Sequence, residues 1–167
     1  MNYIKSFKQR ILANHKSKYE PGDFGYWWNV KNGYPDIDGK VYMGDIECPN
    51  DITSLYGCPR VVYGMFKCNR CRNLKTLKGG PIFVTMNYIC LLCDNLTSLE
   101  GAPIEVHGDF LCRNCNRLTS LKGISKYIKG DFNCINCKRL PKEELADFLN
   151  RDGIEIIGNI ITDYGEF

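Results

Sequence analysis

The sequence is poor in the residues on which catalysis most often depends. Only two histidines occur among its 167 residues. They are His15 and His107, which stand in unrelated contexts, and neither has a nucleophile at a suggestive spacing. A glycine-rich phosphate-binding loop is also absent. We therefore expect no catalytic residues and a protein that is not an enzyme.

Long apolar runs are missing as well. No stretch approaches the roughly 20 apolar residues that a membrane-spanning helix needs. Residues 1–10 have neither a long apolar core nor a small-residue cleavage site, so we expect no secretory leader. The net charge is only +3, which does not by itself identify a partner. These absences predict a cytoplasmic protein whose ten cysteines are reduced thiols.

What the sequence has in quantity is cysteine at a fixed period. Four Cys-x-x-Cys pairs recur every 22 residues, each with an aromatic residue two positions earlier and a leucine three positions later. The cysteines are Cys68, Cys71, Cys90, Cys93, Cys112, Cys115, Cys134 and Cys137. A repeat of this length is typical of a solenoid, in which short coils stack and bury their apolar faces against each other.

Imperfect units flank the four complete ones. The first runs from about residue 42 to 62, is two residues shorter, and has Asp51 where a second cysteine would stand. After Leu140, Pro141 begins a predicted helix over residues 142–150. Because Ile154 lies 22 residues after Phe132, we expect residues 153–158 to be a final strand in the same register.

The chain is predicted to be one structural domain with three parts. Residues 1–40 are an N-terminal helix over residues 1–19 followed by an aromatic capping segment, with one short strand near residues 26–28. Residues 41–140 are the repeat solenoid. Residues 141–167 are the C-terminal helix, the last strand and a closing cap. Within a unit, the alternation around the first cysteine predicts one strand, which pairs in parallel with its neighbours at about 4.8 Å.

The repeat also resembles a known family. The pattern Phe-x-Cys-x-x-Cys-x-x-Leu-x-x-Leu is similar to the leucine-rich repeat consensus. The sequence of residues 95–103, followed by that of residues 108–112, resembles short leucine-rich repeat proteins of tailed bacteriophages and their bacterial hosts. The resemblance implies an α/β repeat solenoid. It also implies a viral protein in the host cytoplasm that binds and inhibits a bacterial host protein, for instance a component of bacterial defence.

Two interpretations of the eight repeated cysteines compete. Their spacing falls within the range of many zinc sites, so zinc is one possibility. The aromatic and leucine positions repeat in the same register, and the outer units tolerate loss of cysteine. These facts favour a ladder of buried thiols with no metal or cofactor. Zinc at the same eight cysteines belongs to the alternative function, a zinc-stabilised nucleic-acid-binding module.

Two outward surfaces are candidate interfaces. The first is an apolar patch with a charged rim on the strands, as protein-binding surfaces have, and a second copy of the chain is another candidate occupant. Its predicted residues are Lys67, Ile89, Leu91, Asp109, Leu111, Arg113, Asp131, Asn133 and Ile135. The second is a basic edge after the cysteine pairs, formed by Arg70, Arg72, Arg117, Lys138 and Arg139, with Lys75, Lys78 and Lys122 nearby. A solvated edge is favoured there over nucleic-acid binding, and no membrane contact is expected.

Overall fold

The structure is a computed structural model that describes residues 18–167. The predicted N-terminal helix over residues 1–19 lies, apart from its last two residues, outside that range. In the described part, short parallel strands stack into a solenoid whose coils follow each other about every 22 residues. The predicted repeat solenoid is therefore confirmed in its architecture. Within the same part, no helix has the length and apolarity needed to cross a bilayer.

Each coil contributes two strands to two separate sheets, where the sequence predicted one strand around the first cysteine. The six-stranded sheet consists of β1 (Val41–Met43), β3 (Val61–Tyr63), β5 (Phe83–Val84), β7 (Glu105–Val106), β9 (Tyr127–Ile128) and β11 (Glu155–Ile156). The seven-stranded sheet consists of β2 (Ile46–Glu47), β4 (Phe66–Lys67), β6 (Tyr88–Ile89), β8 (Phe110–Leu111), β10 (Phe132–Asn133), β12 (Ile160–Thr162) and β13 (Gly165–Glu166). All pairings are parallel except that of β12 with β13.

The register follows the spacing of the sequence until the last coil. Phe66 pairs with Tyr88, and Tyr88 with Phe110, so these coils are 22 residues long. The short first unit is also confirmed, since Ile46 pairs with Phe66. A strand, β11, does form within the predicted range 153–158, but it pairs with β9 of the six-stranded sheet. The last coil departs from the predicted register because Phe132 pairs with Ile160, not with Ile154.

The longer last coil has a simple cause. Helix α1 (Lys142–Leu149) begins directly after Pro141, as predicted, and lengthens that coil. The chain must therefore travel further before it can rejoin the stack, and the final strands form at β11 and β12. The segment predicted as a terminal cap instead contains β12 and the antiparallel β13.

The core is a set of stacked columns. One column is aromatic, with ring centroids 5.5 Å apart between Phe66 and Tyr88, and 5.1 Å apart between Tyr88 and Phe110. Phe148 of α1 continues this column, 5.7 Å from Phe132. Two leucine columns are fully buried beside it: Leu74, Leu96 and Leu118, and Leu77, Leu99 and Leu121. These contacts between coils provide the apolar burial that a single coil cannot achieve alone.

A polar corner separates the two strands of each coil. The Asp109 carboxylate accepts a hydrogen bond from the Asp131 N–H at 3.0 Å, and the Asn87 side-chain oxygen accepts one from the Asp109 N–H at 2.9 Å. Gly108 lies in this corner, where a Cβ atom would come within 2.7 Å of the carbonyl carbon of Met86. Backbone groups at the corner are therefore paired by a ladder of short polar side chains.

Aromatic residues cover the N-terminal side of the first described coil. The strand predicted near residues 26–28 is wrong, because Tyr26–Lys31 is a π-helix. Phe24 is fully buried and its N–H donates to the Ser54 carbonyl at 3.0 Å. Trp28 packs edge-on against Tyr42, with centroids 5.3 Å apart. The segment is used in the core, since large aromatic rings contribute most apolar area when buried.

Candidate functional site

The repeated cysteines form a ladder of buried thiols, as the sequence predicted. All eight are buried and free of disulfides. In three of the four pairs the second cysteine donates its S–H to the carbonyl of the first cysteine of the preceding coil, whereas Cys71 donates to the Pro49 carbonyl at 3.4 Å. The Sγ-to-oxygen distances are 3.0 Å from Cys93 to Cys68, 3.1 Å from Cys115 to Cys90, and 3.1 Å from Cys137 to Cys112. The thiols therefore fill the core and also link successive coils.

Burial holds several of these thiols in their protonated form. It raises the pKa of Cys71 to about 12 and raises the pKa values of Cys112 and Cys134 as well. Outside the repeat pattern, burial likewise raises the pKa values of Cys48 and Cys58. The thiolate is the nucleophilic and metal-binding form of cysteine. These side chains accordingly have the character of structural cysteines.

Residues 18–167 contain no group of three or more His, Cys, Asp or Glu side chains arranged to hold a metal ion. A zinc site formed by the repeated cysteines would need four thiolates that converge on one ion, which differs from the stacked columns seen here.

The outer face of the seven-stranded sheet brings the predicted partner-binding residues together. Lys67, Ile89 and Leu111 lie opposite each other in consecutive coils. Leu91 and Ile135 occupy the neighbouring column, after the first cysteine of each pair. All four apolar side chains of this patch are partly exposed. We call Ile89, Leu91, Leu111 and Ile135 the apolar patch.

Three of the predicted partner-binding residues have structural contacts. Asn133 is only 9% exposed, and its side-chain oxygen accepts a hydrogen bond from the Ile135 N–H at 3.2 Å. Asp109 and Asp131 accept backbone N–H groups of the next coil at the polar corner. Arg113 is exposed and Lys67 partly exposed. These two cations are therefore the charged residues that the patch presents most freely.

The sequence analysis missed the second sheet and its outer face. That face carries exposed apolar side chains, among them Met43 at 73% and Tyr63 at 49% exposure. A signal for its strands was present, because an aliphatic residue recurs every 22 positions before each corner. These residues are Val62, Val84, Val106 and Ile128, and all four are fully buried. Such short strands give too few alternating positions to be recognised without their neighbours.

The chain inside each Cys-x-x-Cys pair makes a left-handed turn that was also missed. The residue before the second cysteine has φ of 58° at Arg70, 59° at Leu92 and Asn114, and 61° at Asn136. Asparagine tolerates this conformation, whereas arginine and leucine do not favour it. The sequence signal for this turn was the asparagine at the equivalent position in two of the four repeats, Asn114 and Asn136.

Three cations of the basic edge are paired with carboxylates. Glu100 bridges Lys78 at 2.8 Å and Lys122 at 2.7 Å, and these two cations lower the pKa of Glu100 to about 2. Arg72 lies 3.5 Å from Asp94. The edge ends in an open groove of about 510 Å³ lined by Asp94, Asn116, Arg117, Lys138 and Arg139.

No protein-family model, no curated protein and no solved structure matches this chain. Its function is therefore inferred from the two surfaces themselves.

Proposed function

We propose that this protein is a non-catalytic binding module that holds another protein on the outer face of its seven-stranded sheet. The observation that supports this is the apolar patch, in which four aliphatic side chains remain partly exposed, Ile89 and Leu111 on strands and Leu91 and Ile135 in the turns that follow β6 and β10. Contiguous apolar surface with a charged rim is typical of protein interfaces. Lys67 lies beside Ile89 at one end of the patch, and Arg113 lies between Leu91 and Ile135 in the neighbouring column.

The backbone beneath the patch is fixed by hydrogen bonds on both sides. The Ile89 carbonyl accepts the Cys68 N–H at 2.8 Å, and the Leu111 carbonyl accepts the Cys90 N–H at 2.8 Å. Little conformational freedom is therefore lost when a partner binds. Such preorganisation favours affinity, because ordering of the interface opposes association.

We propose further that the repeat is leucine-rich-repeat-like and of the type encoded by tailed bacteriophages. The partner is then a bacterial host protein, such as a defence component, that the module inhibits in the host cytoplasm. This assignment is supported by the resemblance of residues 95–103 and 108–112 to those proteins. The module uses no metal or cofactor in this function.

The test is partner capture by surface variants. The double variant Ile89→Glu/Leu111→Glu places two carboxylates in the centre of the patch, and we expect it to abolish capture of the partner from bacterial lysate. The matched control is Val41→Glu/Met43→Glu, which adds the same charge to exposed positions on the other sheet. Mass spectrometry identifies the partner, and circular dichroism checks that both variants are folded.

Two results would reject this face as the interface. One is undiminished capture by the Ile89→Glu/Leu111→Glu variant. The other is an equal loss of capture in the control. If the double variant does not fold, Leu111→Ser offers a milder change at the same place. Sedimentation of the purified protein shows whether a second copy of the chain occupies the patch.

A further inference from the structure

The groove at the end of the basic edge is built from the same turn in consecutive coils. The Leu118 N–H donates to the Cys115 carbonyl at 3.0 Å, and the Leu140 N–H donates to the Cys137 carbonyl at 2.8 Å. These turns place Arg117 and Arg139 at equivalent positions one coil apart, a separation of about 4.8 Å between the backbones. Lys138 precedes Arg139 in the same turn.

The charge of the groove is not balanced within the described residues. Its one carboxylate, Asp94, accepts a hydrogen bond from the Asn116 side chain at 2.9 Å and pairs with Arg72 on its other oxygen at 3.5 Å. Arg117 donates one N–H to the Asn95 side chain at 3.0 Å. Across residues 18–167, neither Arg117 nor Lys138 nor Arg139 forms an ion pair.

Elsewhere on the basic edge, a carboxylate pairs with two cations of the same column. Lys78 and Lys122, two coils apart, have Glu100 between them. Arg117 and Arg139 lie in adjacent coils, and within residues 18–167 neither is paired with a carboxylate. Three cations of like sign so close together repel one another, and a bound anion would relieve that repulsion.

We propose that this groove binds an oligophosphate, an anion of two or more linked phosphate groups. Two guanidinium groups one coil apart can each hold a phosphate through paired N–H donors, and Lys138 adds a third point of charge. The groove volume of about 510 Å³ is too large for a single phosphate and lies in the range of ordinary ligand sites.

The lining of the groove favours a ligand that is recognised through its phosphates. Its five residues include no aromatic or aliphatic side chain on which a base could stack. Single-stranded nucleic acid is usually held by a charged groove together with aromatic platforms. A phosphate chain, either free or carried by a nucleotide, therefore fits the groove better than a nucleic-acid strand.

Isothermal titration calorimetry with sodium tripolyphosphate tests the proposal, at matched ionic strength and without divalent cations. The variant Arg117→Gln/Lys138→Gln/Arg139→Gln removes the three charges. The control Arg60→Gln/Lys126→Gln/Lys129→Gln removes three exposed cations outside the groove. We expect saturable one-to-one binding by the wild-type protein and the control, and at least tenfold weaker binding by the groove variant.

Further titrations identify the source of the phosphates. Equal affinity for ATP and tripolyphosphate indicates recognition of the phosphate chain alone, whereas tighter binding of ATP indicates a nucleotide, and both results support the proposal. Three results would overturn it. They are no saturable binding to the wild-type protein, equal binding by the groove variant and the control, or tight binding of a 12-nucleotide single strand that tripolyphosphate does not displace.

Discussion

Tyr88 is a polar residue in an otherwise hydrocarbon column. Phe66, Phe110 and Phe132 occupy the equivalent positions in neighbouring coils. The Tyr88 ring is fully buried, and its hydroxyl has no hydrogen-bond partner in the described structure. Burial raises the pKa of the phenol well above its usual range. An unpaired buried hydroxyl destabilises a protein, because it loses its hydrogen bonds to water.

Tyr88→Phe should therefore stabilise the protein by about 1 kcal/mol, since it removes the desolvated group and keeps the ring. The measurement is the free energy of unfolding in urea. Tyr127→Phe serves as the control, because Tyr127 is partly exposed; we expect little change there. A loss of stability of 1 kcal/mol or more in Tyr88→Phe would contradict the prediction and indicate a hydrogen-bonded hydroxyl.

Arg70 allows a second prediction at the residue scale. It is exposed and holds a φ of 58° in the turn between Cys68 and Cys71. Arg70→Gly should raise the free energy of unfolding by about 1 kcal/mol, because glycine adopts this conformation without a steric penalty. Lys75 is also an exposed cation but has no positive φ, so Lys75→Gly should lower the free energy of unfolding. Equal effects of the two changes would mean that the turn is not strained.

The sequence predicted that helix α1 exists, but it did not predict that the helix lengthens the last coil and changes the register of the final strands. Pro141 and the apolar positions Leu145 and Phe148 indicated the helix. The same pattern contains no information about how many extra residues the coil can hold, so the final strand was predicted over residues 153–158 with Ile154 opposite Phe132. The register of β12 is fixed instead by the pairing of Ile160 with Phe132, a contact between residues distant in sequence.

The packing of α1 should contribute strongly to stability. Phe148 is 2% exposed and continues the aromatic column beyond Phe132. Phe148→Ala should lower the free energy of unfolding by about 3 kcal/mol, as is usual for a buried ring. Leu149→Ala, on the exposed side of the same helix, should change it by less than about 0.5 kcal/mol. Urea unfolding of both variants is the measurement. Similar effects would show that the helix is not seated on the core.

The two sheets illustrate the same limit of sequence reasoning. The strands that precede each cysteine pair were predicted, because the aromatic residue and the cysteine mark their inward face. The strands before each corner contain only two or three residues. Their buried aliphatic residues give no alternation long enough to recognise, and these strands are identified by their pairing with one or two neighbouring strands of the six-stranded sheet. Ile89 and Leu111 of the apolar patch were predicted for the same reason as the first set of strands, since they occupy the opposite face of those strands, and Leu91 and Ile135 directly follow the first cysteine of a pair.

At the scale of the whole molecule, the thiol ladder makes stability depend on pH. Burial raises the pKa of Cys71 to about 12, above its ordinary value of 9.0. Between these values the folded thiol keeps its proton while the unfolded thiol loses it. The contribution to stability is therefore complete below pH 9.0 and falls as the pH rises from there toward 12.

Urea unfolding from pH 8 to 11 should accordingly show a steep alkaline loss of stability. Each thiol of this kind lowers the free energy of unfolding by about 1.4 kcal/mol for each pH unit above its unfolded pKa. Cys71→Ala should be less stable at pH 8 but should show a slope shallower by about that amount. An unchanged slope in the variant would mean that the Cys71 thiol ionises equally in both states.

The hydrogen bonds of the ladder also predict the effect of chelators. Cys93, Cys115 and Cys137 donate to carbonyl oxygens of the preceding coil, so their thiols have hydrogen-bond partners within the stack. We expect purified protein treated with a strong zinc chelator to keep its circular dichroism spectrum and melting temperature. Stoichiometric zinc by elemental analysis, with unfolding on its removal, would replace the ladder with a metal-stabilised core.

The unequal coil lengths have a consequence for how such a protein can be altered. One coil holds eight helical residues after Leu140, yet the strands on either side of it remain in register. The bend after Leu140 is therefore a position that tolerates insertion. Foreign peptides could be inserted at this bend, in a single coil, while both sheets keep their strand order.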